Sequence, residues 1–369
     1  MIKIEPIINS RIASDAAASE LIKRFSSPTS DRCRFCLGRT EYSAAVAKSF
    51  DIEAFIDDFS DPGTVYLDKP VIRCADIPHH ALIINCVIIA RPITAHKRLE
   101  DCGACVITYM DLYTAFPDLL PMPKYVLQTR NDLKENLSHW EHLYSSISEE
   151  ASKKVLDDIL RFRLSGDYRS MKDYSVRLKE QYFEDFLGLS SQDVFVDCGG
   201  FDGDTTELFC QYYPRYKKVF LFEPSQSNIQ KAVARLNKFH SIEFIEKGVS
   251  DSEGILRFDS DSGSASAVCE SGSTQIQVTT LDLAIRERVS FIKMDLEGWE
   301  LKALKGAKQH IINDHPRLAI ATYHEPSHFW QVYEFVNTLR HDYKIFLRHY
   351  TEGWTETIMY FIPESNRFI

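Results

Sequence analysis

The segment VFVDCGGFDGD, residues 194–204, constrains the fold of this chain more than any other stretch. Its first residues are apolar and are bounded by turn residues, which is typical of a short buried strand. Glycines follow, and from Leu208 onward apolar residues recur at helical spacing. The segment therefore predicts a strand, a glycine-rich turn and a helix. In open α/β sheets, ligands bind just outside such strand ends, where glycine lets the backbone pass close to them.

The charge of this turn bears on the ligand. Asp197, Asp202 and Asp204 place three acids in or beside it. They would repel a pyrophosphate, because like charges at close range are costly where water is scarce. A sulfonium nucleoside, S-adenosylmethionine, fits this charge better than NAD, and the G-x-G-x-x-G pattern is absent. A tight turn without any ligand stays open as an alternative.

The rest of the C-terminal half alternates strand and helix patterns. We predict strands over 219–222, 242–246, 289–294 and 317–321, helices over 228–239, 299–312 and 332–339, and an antiparallel pair over 343–348 and 357–362. Segments 256–258 and 275–278 bracket a Ser/Gly-rich loop, 259–274, which is predicted to be a mobile flap. This order indicates a mostly parallel, Rossmann-like α/β sheet with an antiparallel last strand.

The N-terminal half predicts a smaller α/β domain without a glycine fingerprint. Residues 1–60 read as helical, followed by short β segments at 64–67 and 70–73, a buried strand at 81–90, a helix at 94–103 and a strand at 105–108. Two helices, 131–147 and 148–163, then form a connector. We therefore predict an N-terminal Rossmann-like domain over 1–120, a helical connector over 121–190 and a ligand-binding domain over 191–369.

Composition limits the classes of partner. The net charge of −10 gives no support to broad nucleic-acid binding, and no apolar run is long enough to span a membrane. The first residues lack a secretory signal pattern, which favours the cytoplasm. Nine cysteines include the C-x-x-C pairs Cys33/Cys36 and Cys102/Cys105, for which free thiols are favoured over a structural zinc. A homo-oligomer is compatible with the sequence.

Polar residues follow each predicted strand of the C-terminal sheet. Glu223 ends the second strand, where an acid can accept both ribose hydroxyls of a nucleoside. Asp295 and Glu297 follow the fourth strand, and His324 follows the fifth. A histidine beside two acids is suited to proton removal near neutral pH. A loop-stabilising role for His324 stays equally open. Metal dependence also stays open, because no ligand set adjacent to Asp295 can be read from the sequence.

Four motifs carry a resemblance to a known family. VFVDCGGFDGDTT, LFEPS, TTLDLA and FIKMDLEGWELKALKGA, read in that order, resemble the FkbM family of S-adenosylmethionine-dependent O-methyltransferases. The last motif is the most specific, and the resemblance covers the chain from about Gln181 onward. Trp299 departs from the family motif, in which smaller residues are common at this position. Its side chain would either narrow the binding site for the methyl acceptor or simply pack in the protein interior.

The resemblance implies methyl transfer from S-adenosylmethionine to a hydroxyl, on a sugar or polysaccharide precursor or another small metabolite. We predict cofactor contacts from strand ends and turns, namely Asp197, Gly199, Gly200, Phe201, Asp204, Thr205, Glu223, Pro224, Ser250, Asp251 and Asp295. The predicted catalytic residues are His324 as general base, with Asp295 and Glu297 orienting it or the acceptor. An NAD-dependent oxidoreductase and a non-catalytic protein that binds a nucleotide sugar remain alternatives.

Overall fold

The computed structural model describes residues 16–27, 33–89, 91–258 and 274–364. The chain divides into two compact units, each built from more than one segment. The first comprises Met1–Glu135, Leu156–Val176 and Thr351–Thr355, and the second comprises Asn136–Val155, Arg177–Tyr350 and Glu356–Ile369. The segment predicted as a connector, 121–190, is therefore divided between the two units.

The first unit contains a six-stranded sheet. Its elements in chain order are α1 (Ala16–Ser26), β1 (Arg34–Leu37), α2 (Glu41–Ser49), β2 (Ala54–Ile56), β3 (Val65–Tyr66), β4 (Lys69–Ile72), β5 (Leu82–Asn85), α3 (Pro92–Asp101), β6 (Cys105–Thr108), α4 (Tyr109–Ala115) and α5 (Lys124–Glu135). The strand order is β3-β4-β2-β1-β5-β6, and every pair is parallel except β3 with β4. The predicted small α/β arrangement is confirmed.

The second unit is built on a seven-stranded sheet. Its elements are α6 (Leu137–Ser146), the start of α7 (Glu150–Ser165), β7 (Val194–Cys198), α8 (Asp204–Tyr212), β8 (Lys218–Phe222), α9 (Gln226–Leu236), β9 (Ile242–Ile245), β10 (Gly248–Val249), β11 (Gly254–Phe258), β12 (Thr274–Thr279), α10 (Leu281–Ala284), β13 (Phe291–Met294), α11 (Glu300–Gly306), α12 (Lys308–Asn313), β14 (Arg317–Ala321), α13 (His328–Leu339), β15 (Tyr343–His349) and β16 (Thr357–Pro363). Strands β10, β12 and β11 form a separate small sheet.

The order of the large sheet, β15-β16-β14-β13-β7-β8-β9, creates a switch point between β13 and β7. From β7 the chain moves outward to β8 and β9, then returns to β13 on the other side of β7. Strands β14, β13, β7, β8 and β9 are mutually parallel, and β16 runs antiparallel to β14. The predicted mostly parallel sheet with an antiparallel end is confirmed. A crevice at such a switch point is where open α/β sheets bind ligands.

The central strands are buried on both faces, which explains why β7 and β13 are apolar apart from the paired residues Asp197 and Lys293. Every residue of β7 and β13 is buried. Phe195 stacks on Phe291 of the neighbouring strand at 5.0 Å and lies 4.5 Å from Phe209 of α8. This aromatic cluster joins the sheet to its first helix and so fixes where the turn between them stands.

Three predicted elements differ from the structure for local reasons. The helical interpretation of 1–60 is wrong at β1 and β2, because short buried strands show no alternation. The strand predicted over 81–90 ends at Asn85, whose side chain accepts a hydrogen bond from the backbone N–H of Val87 (3.0 Å) and turns the chain. The helix predicted over 299–312 breaks after Gly306, where a Cβ would lie 2.0 Å from the carbonyl oxygen of Ser250.

The helix predicted over 131–147 is also two helices, α5 and α6, separated at Asn136. Asparagine is a weak helix former because its side chain competes for backbone hydrogen bonds. The predicted flap lies outside the described residues, apart from Thr274 at the start of β12. No helix among the described residues is long and apolar enough to cross a membrane.

Candidate active site

The glycine turn after β7 lies directly against the loop after β13. Gly199 has a φ of +80°, and a Cβ there would stand 2.1 Å from the carbonyl oxygen of Asp295. The N–H groups of Gly199 and Gly200 donate to the carbonyl of Phe222, at the end of β8. Glycine is therefore required at position 199 for both its conformation and its close contact. The structure thus brings three predicted strand ends together.

Asp197 lies beneath this turn rather than on its surface. The carboxylate is fully buried, with Oδ1 3.0 Å from Lys293 Nζ and Oδ2 accepting a hydrogen bond from Thr206 Oγ1 (2.7 Å). Lys293 also donates to the carbonyl oxygen of Gly199 (2.8 Å). Burial alone would lower the pKa of Lys293, but Asp197 and Asp295 raise it above its usual value. We therefore assign the buried pair a supporting role beneath the turn.

Glu223 is held rigidly at the end of β8. Its Oε2 accepts from the N–H of Phe201 (3.1 Å), and its Oε1 accepts from the N–H of Ser225 (2.9 Å) and the side-chain amide of Asn228 (3.4 Å). Burial raises the pKa of this carboxyl, and these hydrogen bonds oppose the rise. Each carboxylate oxygen can accept about two hydrogen bonds, so Oε2 keeps capacity for a ribose hydroxyl. This position therefore fits a nucleoside.

The remaining predicted cofactor residues lie around the same edge. Gly200 packs on Leu221, where a Cβ would stand 2.4 Å away. Asp204 and Thr205 open α8, whose first N–H groups follow Gly203 without a side-chain cap. The N–H of Thr205 donates to Asp204 Oδ1 (2.7 Å), so it is not among the N–H donors that this helix start offers to a ligand. Pro224 directly follows Glu223 on the chain.

Ser250 and Asp251 follow β10 of the small sheet. Ser250 is buried, and its Oγ accepts a hydrogen bond from Trp299 Nε1 (3.2 Å). Asp251 pairs with Lys302 at 3.0 Å. Trp299, the residue that departs from the family motif, therefore links the small sheet to the loop after β13.

On the other side of the loop after β13, three predicted catalytic residues meet. His324 Nε2 lies 3.2 Å from Glu297 Oε2 and 3.6 Å from Asp295 Oδ1. Asp295 also accepts hydrogen bonds from the hydroxyls of Tyr182 (2.7 Å) and Tyr323 (3.3 Å). Within the described ranges, Asp295, Glu297 and His324 are the one trio of His, Cys, Asp or Glu residues whose ligand atoms all lie within 4.8 Å of one another.

Glu300 is a member of this cluster that the sequence analysis missed. It is fully buried, with Oε1 3.0 Å from His324 Nδ1 and Oε2 3.3 Å from His328 Nδ1. Its Oε1 also accepts from the N–H of Leu296 (2.7 Å), which fixes the loop after β13. Burial would raise the pKa of Glu300, but His324 and His328 hold it well below its usual range. An acid in the first turn of α11 is the only sequence signal for this role.

The acids change the chemistry expected of His324. Burial alone would lower the pKa of this histidine, yet Glu300, Glu297 and Asp295 raise it well above its ordinary value. The sequence analysis assumed an unperturbed pKa near 6.5, and the structure corrects this. Next to three carboxylates the imidazole favours its positively charged form.

Glu356 is a second missed residue and extends the cluster. Its Oε2 accepts a hydrogen bond from Gln181 Nε2 (2.8 Å), which also contacts the hydroxyl of Tyr182 (3.0 Å). Tyr182 in turn donates to Asp295. Burial and then the charge of Asp295 raise the pKa of Glu356 to about 7. A local sequence pattern could not reveal this, because each partner lies far away along the chain.

Four of the nine described residues other than glycine that have a positive φ lie around this edge. Tyr182, Phe201, Glu297 and Glu356 all have positive φ angles, of 73°, 45°, 51° and 69°. Residues other than glycine adopt such angles only where the surrounding structure enforces them, and they cluster at functional sites. The strained residues include Glu297, which faces His324, and Glu356.

Part of the chain matches a known protein family, and the fold matches a solved structure. Residues 197–351 match the family model described as a methyltransferase FkbM domain. The solved structure of methyltransferase FkbM from Methylobacillus flagellatus is similar to this chain, with 23% identity, a TM-score of 0.71, and coverage of 94% of this chain and 93% of that one. No curated protein sequence matches.

Two further solved structures align with part of the chain. An rRNA methylase from Streptococcus thermophilus has 17% identity and a TM-score of 0.33, covering 49% of this chain and 94% of that one. Fibrillarin from Aeropyrum pernix, solved with natively bound S-adenosyl-L-methionine, has 11% identity and a TM-score of 0.31, covering 50% and 71%. From the family match, the glycine turn and the acids at the switch point, we conclude that residues 197–351 are an FkbM methyltransferase domain, whose cofactor is S-adenosylmethionine.

Proposed function

We propose that this protein transfers the methyl group of S-adenosylmethionine to a hydroxyl oxygen of a small metabolite, such as a sugar or polysaccharide precursor. The observation that carries the proposal is the position of Asp295. Its backbone carbonyl abuts Gly199 of the cofactor turn, and its carboxylate belongs to the cluster with Glu297 and His324. One residue therefore joins the predicted methyl donor site to a polar site for the acceptor.

The charges on both sides favour this reaction. The sulfonium of the donor is positive, and carboxylates attract it most strongly where water is scarce. On the acceptor side, the side chains of Asp295 and Glu297 are 21% and 27% exposed, so an incoming molecule can reach their oxygens. Carboxylate oxygens accept hydrogen bonds from hydroxyl groups. This chemistry supports an acceptor rich in hydroxyls.

The proposed step is a direct displacement. A lone pair of the acceptor oxygen attacks the methyl carbon as the C–S bond breaks, and the bonding electron pair stays on sulfur as a neutral thioether. The acceptor hydroxyl gives its proton to a carboxylate of the cluster. The protein contributes mainly by holding both partners in line, which can supply about 7–11 kcal/mol of the barrier reduction.

Glu356 is our candidate for the proton acceptor. Gln181 and Tyr182 connect the carboxylate of Glu356 to that of Asp295 by hydrogen bonds. Burial and the charge of Asp295 also raise the pKa of Glu356 to about 7, and a general base works best when its pKa lies near the working pH. His324, which the sequence analysis placed in this role, instead orders the carboxylates around it. Asp295 and Glu297 remain the residues proposed to hold the acceptor hydroxyl.

The direct test is a transfer assay with a labelled methyl donor. The full chain is incubated with labelled S-adenosylmethionine and a panel of sugars, sugar nucleotides, phenols and amines. We expect label in a methyl ether of at least one hydroxyl acceptor. Label found only on amines, or release of S-adenosylhomocysteine without any methyl ether, would contradict O-methyl transfer.

We expect His324→Ala to lower turnover at least about tenfold while the affinity for S-adenosylhomocysteine changes less than about threefold. The substitution removes the imidazole that lies between Glu297 and Glu300. The carboxylates proposed to hold the acceptor would then no longer be fixed in position. The cofactor contacts at Glu223 do not involve His324. Calorimetry and the transfer assay measure the two effects separately. Unchanged turnover would remove His324 from the site.

A further inference from the structure

We propose that Asp295, Glu297 and His324 bind one divalent metal cation, which holds the hydroxyl oxygen of the methyl acceptor. The role of the metal in the reaction rests on the function proposed above, whereas its binding can be measured without substrate. Three observations carry the proposal: the spacing of the ligand atoms, a buried histidine nitrogen without a hydrogen bond, and the carboxylate behind that histidine.

The spacing suits one ion. His324 Nε2 lies 3.2 Å from Glu297 Oε2 and 3.6 Å from Asp295 Oδ1, and the three ligand atoms all lie within 4.8 Å of one another. Ligands on adjacent corners of an octahedron with bonds of about 2.1 Å stand about 3 Å apart. Small side-chain rotations would therefore bring all three atoms to one cation, leaving further positions for water or an acceptor oxygen.

The histidine nitrogen is the second observation. The side chain of His324 is only 8% exposed, yet Nε2 forms no hydrogen bond with any described residue. Leaving a buried polar group without a partner costs about 1–3 kcal/mol. Nε2 faces two carboxylates at ion-pair distance without the alignment of a hydrogen bond. A divalent cation would take the place of the proton on Nε2, because histidine binds metals in its neutral form, and it would contact all three groups at once.

Glu300 provides the third observation. Its Oε1 lies 3.0 Å from Nδ1 of His324, on the side of the ring opposite the proposed ion. Histidines that bind metals usually have a carboxylate or carbonyl at their other nitrogen, which fixes the ring and its tautomer. Glu300 is fully buried and is itself held by the N–H of Leu296, so it can keep the ring in place.

The ligand types narrow the metal. Carboxylates suit Mg²⁺, Ca²⁺ and Mn²⁺, whereas imidazole suits transition metals. Mn²⁺ accepts both and is therefore the probe that matches two carboxylates and one imidazole. A bound cation acts as a Lewis acid that orients an oxygen ligand and lowers its pKa. The acceptor hydroxyl would thus release its proton more readily.

The test removes bound metal from the 369-residue chain with a chelator, titrates Mn²⁺ into it and follows free Mn²⁺ by electron paramagnetic resonance. We expect one Mn²⁺ per chain, and at least about tenfold weaker binding in His324→Ala and in Glu297→Gln. The matched controls are Glu325→Gln and His341→Ala, which make related changes at exposed positions outside the cluster. Both controls should bind Mn²⁺ as the unaltered protein does.

Absence of binding to the unaltered protein, or unweakened binding in both variants, would overturn the proposal. Thermal unfolding followed by circular dichroism shows whether each variant is folded. If His324→Ala does not fold, the partly exposed Glu297→Gln carries the test. Mn²⁺ binding without any methyl transfer would count against the proposed function and leave the metal site standing. Methyl transfer that persists in chelator, with no Mn²⁺ bound, would count against the metal site alone.

Discussion

Replacing Lys293 with methionine is expected to lower the free energy of unfolding by about 3–5 kcal/mol. Asp197 and Lys293 are neighbours on β7 and β13, both buried, and their charged atoms lie 3.0 Å apart. Methionine keeps much of the side-chain volume but leaves the carboxylate without its counter-charge. A buried charge without a partner is among the most destabilising changes that a substitution can make. Chemical denaturation measures the loss.

The control is the double variant Asp197→Asn with Lys293→Met. Asparagine removes the negative charge but can still accept the hydrogen bond of Thr206. We expect the double variant to be more stable than Lys293→Met alone, because no unpaired charge remains. If the double variant is no more stable than the single one, charge pairing is not what Lys293 contributes.

Replacing Glu356 with glutamine is expected to lower turnover by about 100-fold to 10,000-fold, the range that general acid–base catalysis typically supplies. Glutamine has the same shape, and its side-chain oxygen can still accept the hydrogen bond of Gln181. The amide cannot take a proton from the acceptor. The affinity for S-adenosylhomocysteine should stay within about threefold, since Glu223 and the glycine turn are unchanged.

Glu325→Gln is the matched control for this prediction, since it removes one negative charge at an exposed position beside the site. Its turnover should remain within about twofold of the unaltered protein, because exposed charges are screened by solvent. A Glu356→Gln variant with normal turnover would show that another group accepts the proton. Equal losses in both variants would indicate a general effect of charge rather than a base.

The sequence predicted the large sheet well because its strands are central and buried. The apolar run 194–196 and the segment 291–294, which has one charged residue, Lys293, are typical of covered strands when turn residues follow them. The short strands of the first unit carry no such signal. Arg34–Leu37 and Ala54–Ile56 are four and three residues long, and a helical pattern fits them equally well.

The sequence could predict only those contacts in the site that follow from the order of the strands. Asp295, Glu297 and His324 follow parallel neighbouring strands, so their meeting follows from the topology. The roles of Lys293, Glu300 and Glu356 depend on partners that are distant in sequence. Local sequence patterns cannot predict such pairs. The pKa of His324 illustrates the difference, because three surrounding acids reverse the effect of burial.

A crystal structure of the full chain with S-adenosylhomocysteine tests the central claim most directly. The account predicts that the ribose hydroxyls lie on the carboxylate of Glu223 and that the sulfur faces Asp295 across the glycine turn. A nucleoside bound away from Glu223, or a sulfur that points away from the cluster of Asp295, Glu297 and His324, would contradict it.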